Sequence, residues 1–283
     1  MPSSSDPAVP DYLVIGAMKC GSSTVCGFLE DHPDTFMVPR LEPDFFARDE
    51  MWARGRGWYA SLFEDAEPGQ LRGEGSNRYI AGAAHPRVAE RLHGHAPEAK
   101  LVLMVRHPIE RIVSAWTQMR VDRGDGVPST VDRAVRERHD SLVDPSLYWK
   151  NLAPFRERFP PERIFVGFME DMAREPERFW RSLTDFLGVA PMMPRVPHRN
   201  PSDPKRVPTR AYSALNALPI LRTLRRRLVP AELRAAAKRR LLSVPAREVR
   251  LGPETEARLR ALIAPDARAL LRHCGKPEDF WQI

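Results

Sequence analysis

Lys19, Gly21, Ser22, Ser23 and Thr24 bring an ammonium, a glycine and three hydroxyls into six positions, a set suited to holding an anion. The apolar, β-branched run Tyr12 to Ile15 precedes them and a helical pattern follows, so residues 11–30 read as a buried strand, a phosphate-sized loop and a helix. The first N–H groups of a helix lack intrahelical acceptors and sit at the positive end of its dipole. A phosphate or sulfate placed there is held by several donors, and Lys19 adds a full charge. The plainer reading is a surface lysine in a loop whose glycines only turn the chain.

A second cation is placed by the same logic. Residues 101–105, LVLMV, read as a fully buried strand of a parallel sheet that runs into Arg106 and then Pro108, a good first residue of a helix. Arg106 therefore falls at the carboxyl edge of the sheet, where open α/β folds bind ligands and where the Lys19 loop also belongs. On the helix that follows, Arg111 and Ser114 are three apart and share a face. Glu42 is the candidate general base: Leu41, Pro43, Phe45 and Phe46 around it predict the partly apolar surroundings that suit a carboxyl to that work. A solvated loop glutamate is the alternative.

The elements that must position these residues fit an ordinary globular chain. With 283 residues, 42% hydrophobic and 29% charged, it can bury one substantial core. A single domain over 1–283 is expected, with a flexible N-terminus at 1–10, a proline-rich basic loop at 190–210 and a helical part at 211–283. Short strands are expected near 36–38 and from 71, a helix capped by Ser76 or Asn77, and helices at 56–64 and 86–95. Helices are also expected at 212–228, 231–242 and 253–274, with Trp281 packing the tail down.

No stretch approaches the roughly 18 uninterrupted apolar residues of a spanning helix, and the first ten residues have no apolar signal core, so a soluble, cytoplasmic protein is expected. Cys20, Cys26 and Cys274 are odd in number and have no metal-ligand spacing, which fits reduced thiols.

Gly16-Ala-Met-Lys-Cys-Gly21 departs from the triphosphatase loop, because the lysine comes two residues before the second glycine and Ser22 stands where the Walker lysine would. The strand at 101–105 likewise ends in a cation and not in an aspartate for a metal shell. A nucleotide kinase or hydrolase is the main alternative function, and both features count against it. A nucleic-acid-binding protein is the other, raised by a net charge of +7 and a pI near 9.6. No interleaving of aromatic and basic residues supports it, and no nucleic-acid partner is expected.

In these motifs and their order the chain resembles the sulfotransferases that use 3′-phosphoadenylyl sulfate (PAPS), nearest the carbohydrate branch that includes the heparan sulfate enzymes. Lys19-Cys20-Gly21-Ser22-Ser23-Thr24 is similar to the family's 5′-phosphosulfate loop. Arg106, Pro108, Arg111 and Ser114 are similar to its 3′-phosphate motif, and Leu41-Glu42-Pro43-Asp44-Phe45-Phe46 to its Lys-Glu-Pro-His-Phe-Phe, where the glutamate is the base. Residues 146–159, 164–171 and 179–188 resemble the helix, strand and helix that close the fold.

The resemblance implies a P-loop-containing three-layer α/β/α fold with a central parallel sheet and a helical C-terminal region. It also implies in-line transfer of a sulfuryl group from PAPS to a hydroxyl of a small-molecule, lipid or sugar acceptor, without metal and leaving the bisphosphate PAP. Lys19 and Glu42 would be catalytic. Lys19, Gly21, Ser22, Ser23, Thr24, Arg106 and Ser114 would bind the donor, with Lys205 and Arg206 on a segment folding over the 3′-phosphate. The family's lysine before the base is Leu41 here, and the lysine it often carries after Glu74 is Gly75. Arg40 or Arg78 is available to replace one of them, and the loss counts against an acidic-polysaccharide acceptor. Because other branches use histidine as base, His32 and His107 stay open beside Glu42.

Between Arg195 and Arg250 fifteen Lys and Arg face three acids. Leu218, Leu221, Leu224 and Leu228 recur near helical spacing beside Arg222, Arg225, Arg226 and Arg227. This describes either a core-packed helix with a solvated basic face or one that makes peripheral contact with an anionic membrane.

Overall fold

The computed structural model describes residues 9–39, 42–194 and 249–283, with backbone alone at 206–208 and 243–245. Arg40, Leu41, Lys205 and the leucine-arginine pattern at 218–228 lie outside the described residues, as do the helices expected at 212–228 and 231–242. Two compact units divide the chain: Met1–Pro108, Leu147–Arg199 and Ile263–Ile283 make one, Ile109–Ser146 and Asn200–Leu262 the other.

The first unit is built on a parallel sheet in the order β2-β3-β1-β4-β5. Its strands are β1 (Tyr12–Gly16), β2 (Thr35–Met37), β3 (Leu71–Gly75), β4 (Lys100–Val105) and β5 (Ile164–Phe168). β1 lies at the centre, pairing Tyr12 with Gly73 on one side and with Lys100 on the other. Every residue of β1 is buried, as is β4 beyond Lys100, which is why both read as unbroken apolar runs. Helices α1 (Ser22–Asp31), α2 (Asp49–Trp52), α3 (Gly55–Ser61) and α4 (Val88–His95) flank the sheet in this unit and give the α/β architecture expected.

In the second unit, α5 (Pro108–Arg123, entering from the first), α6 (Val131–Glu137) and α7 (His139–Leu142) are held partly by buried arginine. Arg120 donates to the carbonyls of Gly124 and Val127 at 2.5 and 2.8 Å. The chain then returns to the first unit with α8 (Tyr148–Arg156), α9 (Met169–Arg174) and α10 (Pro176–Leu187). Near the end runs the C-terminal helix Pro253–His273, and Trp281 packs down as expected, 3% exposed, against Phe168 and Tyr148.

Three expectations need correction. No helix starts at Ser76 or Asn77: their side chains are committed elsewhere, and Ile80 N donates to Ile15 O at 3.1 Å, which holds the segment along the end of β1. The strand expected through Asp171 stops at Phe168, because α9 begins at Met169 and Glu170 in its first turn accepts from His107 N at 2.7 Å. Inside the regions expected as loop and as helix, β6 (Arg206–Pro208) and β7 (Ser243–Pro245) pair antiparallel over three residues. Each contains a valine, which favours extended backbone, and ends in proline, which has no N–H to extend the ladder.

Candidate active site

The loop between β1 and α1 has the form of an anion cradle. Lys19 adopts a left-handed φ of +72° and Gly21 one of +91°, and Gly21 opens α1 with no side-chain cap. Thr24 N and Val25 N both turn back to Gly21 O, at 2.9 and 3.2 Å. The N–H groups of Ser22 and Ser23 precede them in the first turn, where a helix offers no acceptor of its own. Ser22 is buried, Ser23 exposed and Thr24 half-buried.

The loop is braced from β4 and α8. Ala17 N donates to Met104 O at 2.9 Å, and Arg106 Nη1 reaches Lys19 O at 3.4 Å. Tyr148, fully buried, donates its hydroxyl proton to Arg106 O at 3.0 Å and also lies 3.4 Å from Cys20 Sγ. Cys20 Sγ also donates to Met18 O at 3.8 Å. Cys20 therefore fills and ties the loop, and the two stretches expected to bind the donor's two ends, 87 residues apart, meet at Lys19 and Arg106.

The loop that carries Glu42 departs from expectation. Phe45 and Phe46 turn inward and pack with Tyr59, Tyr79 and His95, Phe45 stacking on Tyr59 at 4.3 Å between ring centroids. Asp44, at φ +52°, reverses the chain before them. Glu42 is left exposed, so the partly apolar surroundings expected for it are not there. It accepts instead from Asn77 Nδ2 at 2.6 Å, and Asn77 Oδ1 accepts from Ser22 Oγ at 3.0 Å. On either side of Asn77, Ser76 Oγ accepts from Asp44 N at 3.1 Å and Arg78 pairs with Asp44 Oδ2 at 2.7 Å. Arg78 also lines a cavity of about 560 Å³ with Phe46, Arg48, His85, Arg87 and Arg91.

The carboxyl enclosed by this cluster is Glu74, fully buried on β3. Burial pushes it up to about 7, opposed by bonds from Tyr79 (2.5 Å), Ser76 (3.0 Å) and Tyr59 (3.3 Å). Burial and the neighbouring carboxyl raise both phenols well above their usual range, so they remain donors. Beside Glu74, Gly75 stands where the family often carries lysine. A Cβ there would lie 2.7 Å from Cys26 Sγ and 3.1 Å from Met37 Cε, leaving no room for the longer side chain.

Several expected residues have other duties. Arg111 is fully buried within the second unit and donates to Ser146 Oγ and Leu142 O at 2.6 and 2.5 Å, the bonds of an internal brace. His32 is buried at the end of α1, its ring bonded to Ala190 O and Asp34 N, so it terminates the helix and is not placed as a base. Ser114 is half-buried on α5 in the second unit, and Arg206 belongs to β6. Asn77 is expected from the sequence only as a cap, and Glu74 carries no expected role. The available signal was Ser76-Asn77-Arg78, three polar residues directly after a strand at the ligand-binding edge.

Residues 9–220 match the family profile described as the Sulfotransferase domain. The mouse (Mus musculus) heparan sulfate glucosamine 3-O-sulfotransferase 3B1 is 31% identical over 188 residues, 64% of this chain and 46% of that one. The human (Homo sapiens) heparan sulfate glucosamine 3-O-sulfotransferase 6 is also 31% identical over 188 residues, 64% and 52% of the two chains. The chain thus spans about half the length of the curated relatives it matches. The crystal structure of a sulfotransferase from Alicyclobacillus acidocaldarius superposes with a TM-score of 0.67 at 22% identity, covering 97% of this chain and 99% of that one. At that identity the likeness is one of fold.

Proposed function

Because the chain belongs to the sulfotransferase domain family, we propose that it moves the sulfuryl group of PAPS to a hydroxyl of a small-molecule, lipid or sugar acceptor, releasing PAP. The observation that carries this reading is the meeting of two cationic stretches at the carboxyl edge of the sheet, where Arg106 holds the carbonyl of Lys19. A donor with anionic groups at both ends, a 5′-phosphosulfate and a 3′-phosphate, fits such a pair.

The bound donor supplies an activated sulfur–oxygen bond. Lys19 and the first-turn amides of α1 offset charge that gathers on the leaving phosphate and the sulfuryl oxygens, with Ser23 and Thr24 as further donors. Arg106 takes the 3′-phosphate. Glu42 accepts the proton of the acceptor hydroxyl as its oxygen bonds to sulfur and the bond from sulfur to the phosphate oxygen breaks.

The relatives named for heparan sulfate glucosamine support a sugar among the acceptor classes. An odd number of cysteines, Cys20, Cys26 and Cys274, without metal-ligand spacing supports a reducing compartment, the cytosol. Thermal shift without metal tests the donor assignment: at a hundred times its Kd, PAP should add about 2.7 kcal/mol of stability. Stabilisation by ATP with Mg²⁺ and none by PAP would replace this reading with a nucleotide kinase.

A further inference from the structure

Asn77 belongs to none of the motifs, yet its side chain joins two of them. Glu42 as a carboxylate can only accept, so the Asn77 NH₂ must face it and the amide oxygen must face Ser22. The orientation of the amide is thus fixed by chemistry at both ends.

The backbone of Asn77 is equally constrained. Ser76 N and Ile80 N donate to Val14 O and Ile15 O, both at 3.1 Å, which pins the turn to the last residues of β1. Gly16, where the anion loop begins, permits that approach: a Cβ on it would come within 3.3 Å of Asn77 O. Ser76 and Arg78 meanwhile grip Asp44, so three successive side chains hold residues 42–44 from one side. Of the three, Asn77 also touches the donor loop.

We propose that Asn77 is a positioning residue that orients the Glu42 carboxylate and ties it through Ser22 to the donor loop, so that the base and the donor are aligned by one amide. The inference rests on Glu42 being the base. Holding Oε1 of an exposed glutamate removes a freely turning side chain from the site and presents Oε2 to the acceptor hydroxyl. Without that bond the carboxylate samples several rotamers, and only a fraction of encounters finds it in place.

The test compares wild type, Asn77→Ala, Asn77→Asp, Glu42→Gln and the Asn77→Ala/Glu42→Gln double variant. Asn77→Asp keeps the shape and removes the donor, which guards against a folding defect in the alanine variant. PAP affinity is read by calorimetry, and turnover as release of PAP from PAPS with glucosamine as acceptor probe and water as the hydroxyl always present. Both Asn77 variants should lower kcat by at least about tenfold, the range of a hydrogen bond to a charged group, while the PAP affinity of Asn77→Ala stays within about twofold; the charge added by Asn77→Asp weakens PAP binding as well. On the Glu42→Gln background, Asn77→Ala should cost nothing more, because the carboxylate it orients is gone. Near-normal kcat in Asn77→Ala beside an impaired Glu42→Gln, or a loss that multiplies fully in the double variant, overturns the inference alone. Near-normal turnover of Glu42→Gln removes the base and this role together, while the donor assignment still stands or falls with PAP binding.

Discussion

Replacing Glu74 by glutamine should change how the stability of this protein depends on pH. In the unfolded chain Glu74 titrates as an ordinary glutamate, near 4.3, whereas burial raises it to about 7 in the folded state. Between those values the folded state holds a proton that the unfolded state has lost. Stability contributed by this group is therefore present below about pH 4.5 and is lost as pH rises through 7. From pH 5 to pH 8 the loss is about 2 to 3 kcal/mol at 1.36 kcal/mol per pKa unit. Glutamine has no such proton, and Tyr59, Tyr79 and Ser76 can still bond to it. Urea unfolding of both proteins at pH 5, 6, 7 and 8, without ligand, isolates the effect, since every other group cancels in the difference. Glu74→Gln should gain on the wild type steadily up to pH 7 and level off above it. A difference constant to within about 0.5 kcal/mol across the series would mean that Glu74 stays ionised in the folded protein, and the argument from burial would fail.

Other consequences can be checked separately. Lys19→Ala should weaken PAP binding by at least about tenfold and lower turnover by about 10²–10³, by calorimetry and by PAP release; unchanged PAP affinity would remove Lys19 from the donor site. Gly75→Ala should cost about 1–3 kcal/mol in urea unfolding through the contact with Cys26 Sγ, and Cys26→Ala should recover most of it; a neutral Gly75→Ala would show that the strand gives way freely. His32→Ala should lower Tm by several degrees, through the lost bond to Ala190 O, with turnover per folded molecule retained. Lost turnover at unchanged Tm would instead return His32 to the list of candidate bases.

What could be read from the sequence was what lies within one strand, loop and helix. β1 with the Lys19 loop, and β4 with Arg106, each carry their chemistry in a contiguous segment whose burial shows as an apolar run. Glu42 was found as a residue but not in its surroundings, because the turn at Asp44 sends Phe45 and Phe46 inward while leaving Glu42 outside. β3 gave little warning of a buried carboxyl, since Leu-Arg-Gly-Glu-Gly has neither alternation nor an apolar run. The phenols that accommodate Glu74 come from positions 59 and 79, and Asn77 meets Glu42 and Ser22 across 35 and 55 residues. No local periodicity encodes such pairs.

The central place of β1 also sets when this protein can become competent during its own synthesis. Tyr12 to Gly16 are made before either of their neighbours in the sheet, β3, opposite Gly73, and β4, opposite Lys100. The loop's buried tyrosine brace is residue 148. At about 5–20 residues per second, the interval from residue 12 to residue 148 is on the order of ten seconds; an edge of Tyr-Leu-Val-Ile stays open until β4 is made, and the brace comes later still. A nascent chain of this kind has its lysine and hydroxyls in hand early and its donor site late. A fragment ending before β4 would accordingly present an apolar strand with one open edge to chaperones and to other copies of itself, and would lack Arg106.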